Sequence, residues 1–327
     1  MKPIEPGILA GLASQFGFAP EQLLPLGGGR EDSDGVVFRI ARPDGDRVFK
    51  VVETSAKDPD AVEKIEARAA FFAFLGEHGV DAVSPVRNAE GNFIECVGEG
   101  ERQWIGYVYP YLTGVTPRPG QWSKAVLNAW GRLLGKTHRL TKAYTIWDGF
   151  DAKVSGKRLL TWQSEWSGFD GICRDEQVGR AWAGLRKRME ALPYTRDTAG
   201  FVHNDPHMEN LLVEGDRIKL LDFDVASCHF FACDLAIAIQ SVLFTQSGGM
   251  ERPLTDRAAL QSFVDALLAG YRQENDETGI APEAVELFIA YRRILLFLVM
   301  QDFLNTKPEW RDAWKQRIVE EPRILTA

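Results

Sequence analysis

One stretch limits what this chain can fold into more than any other. It is Phe201-Val202-His203-Asn204-Asp205-Pro206-His207-Met208-Glu209-Asn210-Leu211-Leu212, followed shortly by Leu221-Asp222-Phe223-Asp224. It interrupts a series of amphipathic helical segments with a β pattern: Leu211-Leu212-Val213, the turn Glu214-Gly215-Asp216, then Arg217 to Phe223. A short hairpin set inside a helical region needs a reason, and the spacing supplies one. Asp205 and Asn210 are five positions apart, and Asp222 follows twelve later at the end of the predicted second strand. A loop followed by a tight hairpin brings these three to one place although they are apart in the chain.

Two carboxylates and an amide in that order suit phosphoryl transfer. One carboxylate orients the attacking hydroxyl and accepts its proton, while an amide oxygen and the second carboxylate hold Mg2+ against the phosphates. The competing readings are a His/Asp metal site, suggested by His-x-Asp-x-His-x-x-Asn, and a set of loop residues that are merely solvated or core-buried. Neither explains why the ordered His-x-Asp-x-x-x-x-Asn, the strand pair and Asp-Phe-Asp occur together.

The rest of the chain divides into a β-rich and a helical part. Residues 1 to about 113 read as strands plus one helix: Val36 to Ile40 and Val48 to Val52 flank the turn Arg42-Pro43-Asp44-Gly45-Asp46, in which Pro fixes φ and Gly permits φ > 0. A helix is predicted to start at Asp58-Pro59 and run from Ala61 to Leu75, with further strands at Asn92 to Val97 and Gln103 to Tyr109. Beyond these, Trp122 to Leu140 and stretches near 175–192, 232–245, 255–276 and 281–304 carry helical periodicity.

The stretch from Phe201 to Ile239, including Asp222-Phe223-Asp224 and the downstream Asp234-Leu235-Ala236, resembles in order and spacing the motif of the aminoglycoside phosphotransferase/choline kinase family. Within it, the branch that includes bacterial stress-response kinases and spore-coat-type kinases is the most similar. The resemblance implies an α+β, protein-kinase-like fold: a small antiparallel-sheet lobe over 1–113 that binds nucleotide, and a larger helical lobe over 114–327 that carries the catalytic loop and the acceptor site. It implies Asp205 as catalytic base, His203 as a brace of the catalytic loop, and Asn210 and Asp222 as Mg2+ ligands. Asp224 is a further candidate, and Asp234 is expected to cap or brace the helix that follows it.

The same resemblance assigns Lys50, in the strand Phe49-Lys50-Val51, to the α- and β-phosphates, paired with Glu66 or, one turn earlier, Glu63. Gly28 and Gly29 of Leu26-Gly27-Gly28-Gly29-Arg30 are candidates for phosphate contact, because backbone without a Cβ can approach phosphate oxygens. Asp32-Ser33-Asp34 stands where relatives often carry Asn. Pro110-Tyr111-Leu112-Thr113-Gly114 resembles the family's hinge, with adenine bonded to backbone near Pro110 and Leu112. Pro110 can only accept, which suits an amino group. The implied cofactors are ATP, with GTP left open, and Mg2+.

Composition narrows the partners. The net charge of −8 over 327 residues argues against general attraction to nucleic acid. Four scattered cysteines without zinc spacing read as small buried hydrophobes in a reducing cytosol. The N-terminus lacks a signal-peptide layout, and the longest apolar run, Ile294 to Met300, is shorter than the roughly 20 residues a bilayer demands. A cytoplasmic protein without membrane or nucleic-acid partners is expected, its oligomeric state unspecified. Trp122, Trp130, Trp147, Trp162 and Trp166 could wall a cationic acceptor through cation–π contact, with Asp148, Asp151 and Glu165 as amine partners, but core packing is the commoner use of such residues.

Three function classes follow: a small-molecule kinase acting on a hydroxyl of an amino sugar, amino alcohol or hydroxy amino acid; a stress-response-type protein Ser/Thr kinase; and a non-catalytic kinase-fold nucleotide-binding protein. The complete set Asp205, Asn210 and Asp222 disfavours the third. Asp234 follows Asp222 by only twelve positions, too few for an activation segment, which favours a small acceptor over a protein.

Overall fold

A computed structural model describes residues 4–28, 35–58, 60–118, 122–144, 146–148, 151–154, 157–158, 161–247, 257–275 and 280–320. In chain order the elements are α1 (Pro6–Gln15), β1 (Leu24–Gly28), β2 (Gly35–Ile40), β3 (Arg47–Ser55), α2 (Ala61–Glu77), β4 (Ile94–Glu99), β5 (Arg102–Pro110), α3 (Lys124–Tyr144), β6 (Ile146–Asp148), β7 (Asp151–Val154), β8 (Lys157–Arg158), α4 (Trp162–Phe169), α5 (Glu176–Glu190), β9 (Ala199–Val202), β10 (Leu211–Glu214), β11 (Arg217–Leu220), β12 (Ser227–Phe230), α6 (Phe231–Ser247), α7 (Arg257–Glu274), α8 (Pro282–Val299), α9 (Gln301–Asn305) and α10 (Pro308–Glu320). The chain forms two compact units. The first is Met1–Gly114 with two returning segments, Val154–Leu159 and Lys219–Asp224; the second is the remainder.

The first unit is built on a five-stranded sheet ordered β1-β2-β3-β5-β4, with every neighbouring pair antiparallel. Side chains alternate across a strand, so β3 sends Phe49 and Val51 to one face and Lys50 to the other. The Phe49 face is closed by Leu12, Phe18, Phe38, Ile40, Trp104 and Val108. Leu12 belongs to α1, a second helix where the sequence predicts only one. Gly7 and Gly11 dilute its apolar pattern, and tertiary burial rather than propensity holds it. Helix α2 starts at Ala61 as expected; Asp58 accepts a hydrogen bond from the Asp60 N–H (3.1 Å), and Pro59 lies outside the described residues.

The second unit is mainly helical. Helix α3 lies along α7, α6 along α8, and α5 along α8. One short two-stranded sheet, β9 with β12, pairs Val202 with Ser227 and Ala199 with Phe230. These four-residue strands are fully buried. The α5 start is capped by Asp175, whose Oδ1 accepts from the N–H groups of Gln177 (2.9 Å) and Val178 (3.1 Å). Among the described residues, no helix is long and apolar enough to cross a membrane.

Four of the five tryptophans considered for an aromatic wall are core. Trp122 and Trp130 stack at 5.4 Å, Trp162 and Trp166 lie 4.4 Å apart, and all four are buried. The side chains of Trp147, Asp148 and Asp151 lie outside the described residues.

Candidate active site

The catalytic loop is carried by the second unit. It leaves β9 at Val202 and runs through His203 to Asn210, where a single 3-10 turn, Met208–Asn210, leads into β10. Two buried carboxylates hold it from below. Asp234, in the first turn of α6, accepts from the backbone N–H of His203 (3.1 Å) and of Asn204 (2.8 Å), and its Oδ2 also meets Nε2 of buried His138 at 3.2 Å. Asp234 therefore braces the catalytic loop, not only its own helix as the sequence suggests. Glu165 of α4 accepts from Nδ2 of Asn204 (2.5 Å) and from the Tyr291 hydroxyl of α8. Burial pushes the Glu165 carboxyl up, but His229, Tyr291 and Asn204 outweigh it and bring it down to about 2. Its contacts make it a support for the loop.

Asn204 has φ +66 and Asp222 has φ +53, the only non-glycine residues in the left-handed region among those described. Such backbone is costly for a residue with a Cβ and persists where neighbours enforce it. At Asn204 the enforcing contacts are Asp234 on its N–H and Glu165 on its side chain.

Asp205 is mostly buried. Arg292 of α8 donates to its Oδ1, and His207 Nε2 lies 3.3 Å from its Oδ2. Burial pushes its carboxyl up, yet the His207 hydrogen bond and the Arg292 charge prevail and hold it at about 2. It is thus a carboxylate at neutral pH. His203 is fully buried, and its Nδ1 accepts from the Asp205 N–H at 3.2 Å. Asn210 donates Nδ2 to the Asp205 carbonyl at 3.0 Å. That bond commits the amide nitrogen; the amide oxygen is a hard donor of the kind Mg2+ takes.

The first unit carries the other half of the candidate set. Leu220, ending β11, is tied to the segment after α2: its N–H donates to the Asp81 carbonyl and its carbonyl accepts from Val83 N–H, both at 2.8 Å. The strand stops there, two residues before Asp222, which lies in irregular chain just before a turn and not in the strand end the sequence predicts. Phe223 packs on Phe72 of α2 at 5.0 Å and on Tyr107 of β5 at 5.3 Å. Asp222 and Asp224 flank this anchor.

Lys50 Nζ lies 3.2 Å from both Asp222 oxygens and donates to Asp224 Oδ2. Burial would strip the proton from this ammonium; Asp224 and Asp222 outweigh it and raise Lys50 above the ordinary lysine range. The expected partner was Glu66 or Glu63 on α2. Instead both carboxylates on Lys50 come from the turn after β11. Arg68 of α2 is buried near the same acids; burial lowers its pKa, and Asp224 and Asp222 offset that only in part.

Gly28 ends β1 with φ +78, and a Cβ there would lie 2.0 Å from the Gly35 carbonyl oxygen, so only glycine fits. Gly29 and Asp32-Ser33-Asp34 lie outside the described residues. Pro110 closes β5, and the Tyr111 N–H beside it donates to the Asp46 carbonyl at 2.9 Å. Leu112 follows, partly buried, and Thr113 is held by Lys219 Nζ through its carbonyl at 2.9 Å. Arg292 and Glu165 in the second unit, and Tyr107 and Arg68 in the first, stand beside candidate residues of their own unit in places that sequence patterns did not single out. Only the +2 spacing of Asp224 from Asp222 hinted at a second acid.

Amicoumacin kinase of Bacillus subtilis (strain 168) is 24% identical over 308 residues, 92% of this chain and 87% of that protein. Homoserine kinase of Nitrobacter hamburgensis (strain DSM 10229 / NCIMB 13809 / X14) is 26% identical over 251 residues, 75% of this chain and 70% of that protein. Among solved structures, amicoumacin kinase hAmiN in complex with AMP-PNP, Ca2+ and Ami superposes with a TM-score of 0.82 at 22% identity, covering 98% of this chain and 95% of that one. The fold is the protein-kinase-like fold of these phosphotransferases. A sequence model of the phosphotransferase enzyme family matches residues 22–282, and the chain belongs to that family, whose members phosphorylate hydroxyl groups with ATP.

Proposed function

We propose that this chain transfers the γ-phosphate of Mg·ATP to a hydroxyl of a small molecule that also bears an amino group: an amino sugar, an amino alcohol or a hydroxy amino acid. The observation that carries the nucleotide half of the reading is the meeting of Lys50 with Asp222, 172 positions apart in sequence and 3.2 Å apart in the fold. A lysine for the phosphates and a carboxylate for the metal are the pair this chemistry requires.

In this reading Lys50 takes the α- and β-phosphates, with Gly28 and Gly29 approaching the phosphates through backbone and Pro110 and Leu112 bonding adenine. Asn210 Oδ1 and the half-exposed Asp222 carboxylate are the metal ligands; both are hard oxygen donors, and Mg2+ bound there would neutralise charge on the phosphates. Asp205, ionised and fixed by Arg292, receives the acceptor hydroxyl. His203 keeps the Asp205 backbone in place. A weak base suffices, because a loose phosphoryl-transfer transition state asks for orientation and late proton removal more than for basicity.

The acceptor class rests on the relatives: two different small-molecule kinases match most of the chain. The link after Asp222 supports the same class, since Ser227–Phe230 is β12 and Phe231 already opens α6. A protein-kinase reading would ask that link to present an activation segment. The test is an ADP-release screen against amino sugars, amino alcohols, hydroxy amino acids including L-homoserine, and generic proteins. Turnover with a small amino-bearing alcohol is expected; transfer to proteins alone would overturn the acceptor assignment.

A further inference from the structure

Lysine is a compact charge on a flexible stem and needs a holder before it can act at a fixed point. The register of the sheet shows what holds it here. In the antiparallel β3–β5 pair, Lys50 stands directly opposite Tyr107, so the two side chains leave the sheet on the same face, roughly 5 Å apart at their Cβ atoms. Both end on one carboxylate. Tyr107 donates its hydroxyl to Asp224 Oδ1 at 2.6 Å, and Lys50 donates to Asp224 Oδ2. The two oxygens of Asp224 are thus divided between two neighbours on the sheet.

The turn that presents Asp224 is itself fixed. Phe223 is buried between Phe72 and Tyr107, and the Asp224 N–H donates to Asp222 Oδ1 at 3.1 Å. Exposure separates the two acids: the Asp224 side chain is 16% exposed and that of Asp222 is 39% exposed. The more exposed carboxylate also meets Lys50, through both of its oxygens, and the closed one is shared between the lysine and Tyr107.

We propose that Asp224 and Tyr107 are the positioning residues for Lys50, doing from the sheet and the following turn what a helix glutamate was expected to do. The inference rests on the nucleotide-binding reading above. Tyr107 acts through Asp224, and Asp224 acts through Lys50, so their effects are nested.

The test is binding of Mg·AMP-PNP by calorimetry, which needs no acceptor, together with kcat and KM for ATP. Tyr107→Phe, which keeps the ring packing, should weaken binding about two- to tenfold, less than the full worth of a hydrogen bond to a charged group because it acts only through Asp224. Asp224→Asn should weaken it more, and Tyr107→Phe should add nothing on top of it. In a Lys50→Ala background Asp224→Asn should have no further effect. Wild-type affinity in both single variants, tighter binding in Asp224→Asn, additive losses, or a larger loss in Glu66→Gln than in Asp224→Asn would each overturn the proposal. Absence of Mg·AMP-PNP binding by the wild-type protein would instead overturn the nucleotide-binding reading itself.

Discussion

At the residue scale the main addition to the sequence motif is Arg292. A cation on the proposed base keeps Asp205 ionised and fixes its Oδ1, while His207 Nε2 stands 3.3 Å from its Oδ2. The sign of its effect is definite. Asp205 is held at about 2, below its ordinary 3.8, so the charged form is favoured in the folded protein. Its contribution to stability is complete above pH ~4 and is lost as pH falls towards 2. Arg292→Met removes the opposing charge while burial remains, so the Asp205 pKa should rise by roughly 1–3 units. The acid limb of kcat/KM for ATP-dependent ADP release should move up by the same amount, and turnover at neutral pH should fall about tenfold or more. An unchanged pH profile in a folded Arg292→Met protein would show that the guanidinium does not act on the base. The motif from His203 to Asp224 was readable because its members lie within some twenty positions. Arg292 was not, because it reaches Asp205 from 87 positions away and sits in a helix whose pattern records only its buried face. Glu66 failed as the lysine's partner for a related reason: helix spacing offers several acids and bases in turn, and only packing decides which one faces the strand.

Among the elements, the long ones were legible and the short ones were not. Helices α3, α5, α6, α7 and α8 carry enough turns for a 3.6-residue period to show. The four-residue strands Ala199–Val202 and Ser227–Phe230 are apolar runs too short to distinguish from a helix turn, yet they position the start of the catalytic loop. The α3–α7 contact supports the same loop from further off, because α3 brings His138 to Asp234 and α7 brings Tyr271 to His138 at 3.0 Å. Glycine makes that approach close: a Cβ on Gly131 would lie 1.9 Å from the Leu267 carbonyl oxygen, and one on Gly270 would lie 2.0 Å from that of Asn128. Gly131→Ala gains about 1 kcal/mol of helix propensity but clashes with backbone that cannot yield without separating the helices, at a cost of about 1–3 kcal/mol or more. The clash wins, and Tm should drop by several degrees. Gly184→Ala on α5, where a Cβ meets nothing within 4 Å, should leave Tm unchanged or raise it. Equal behaviour of the two variants in a thermal melt would refute the close-approach account.

For the whole molecule, the functional set is split between the two units. Lys50, Asp222 and Asp224 belong to the first, and His203, Asp205 and Asn210 to the second. The expected lobe division at 113 and 114 made no provision for the return of residues 219–224, because a segment so short carries no sign of which body it packs on. That return is what lets a catalytic-motif aspartate meet the strand lysine. Binding and transfer should therefore separate by mutation. Saturating Mg·ATP stabilises the protein it binds by about 2.7 kcal/mol at a hundred times Kd, which reads as an upward shift of Tm. Lys50→Ala should lose most of that shift and most of kcat/KM for ATP together, since the lysine's contact is made to bound nucleotide. Asp205→Asn should keep the full shift and lose phosphotransfer, because the amide preserves the shape but neither bears the charge nor accepts the proton. Thermal melts with and without Mg·ATP, paired with ADP release, distinguish the two. Asp205→Asn with most of the wild-type rate would remove it as the base. Lys50→Ala with an undiminished nucleotide shift and an unchanged kcat/KM would remove the lysine from the site.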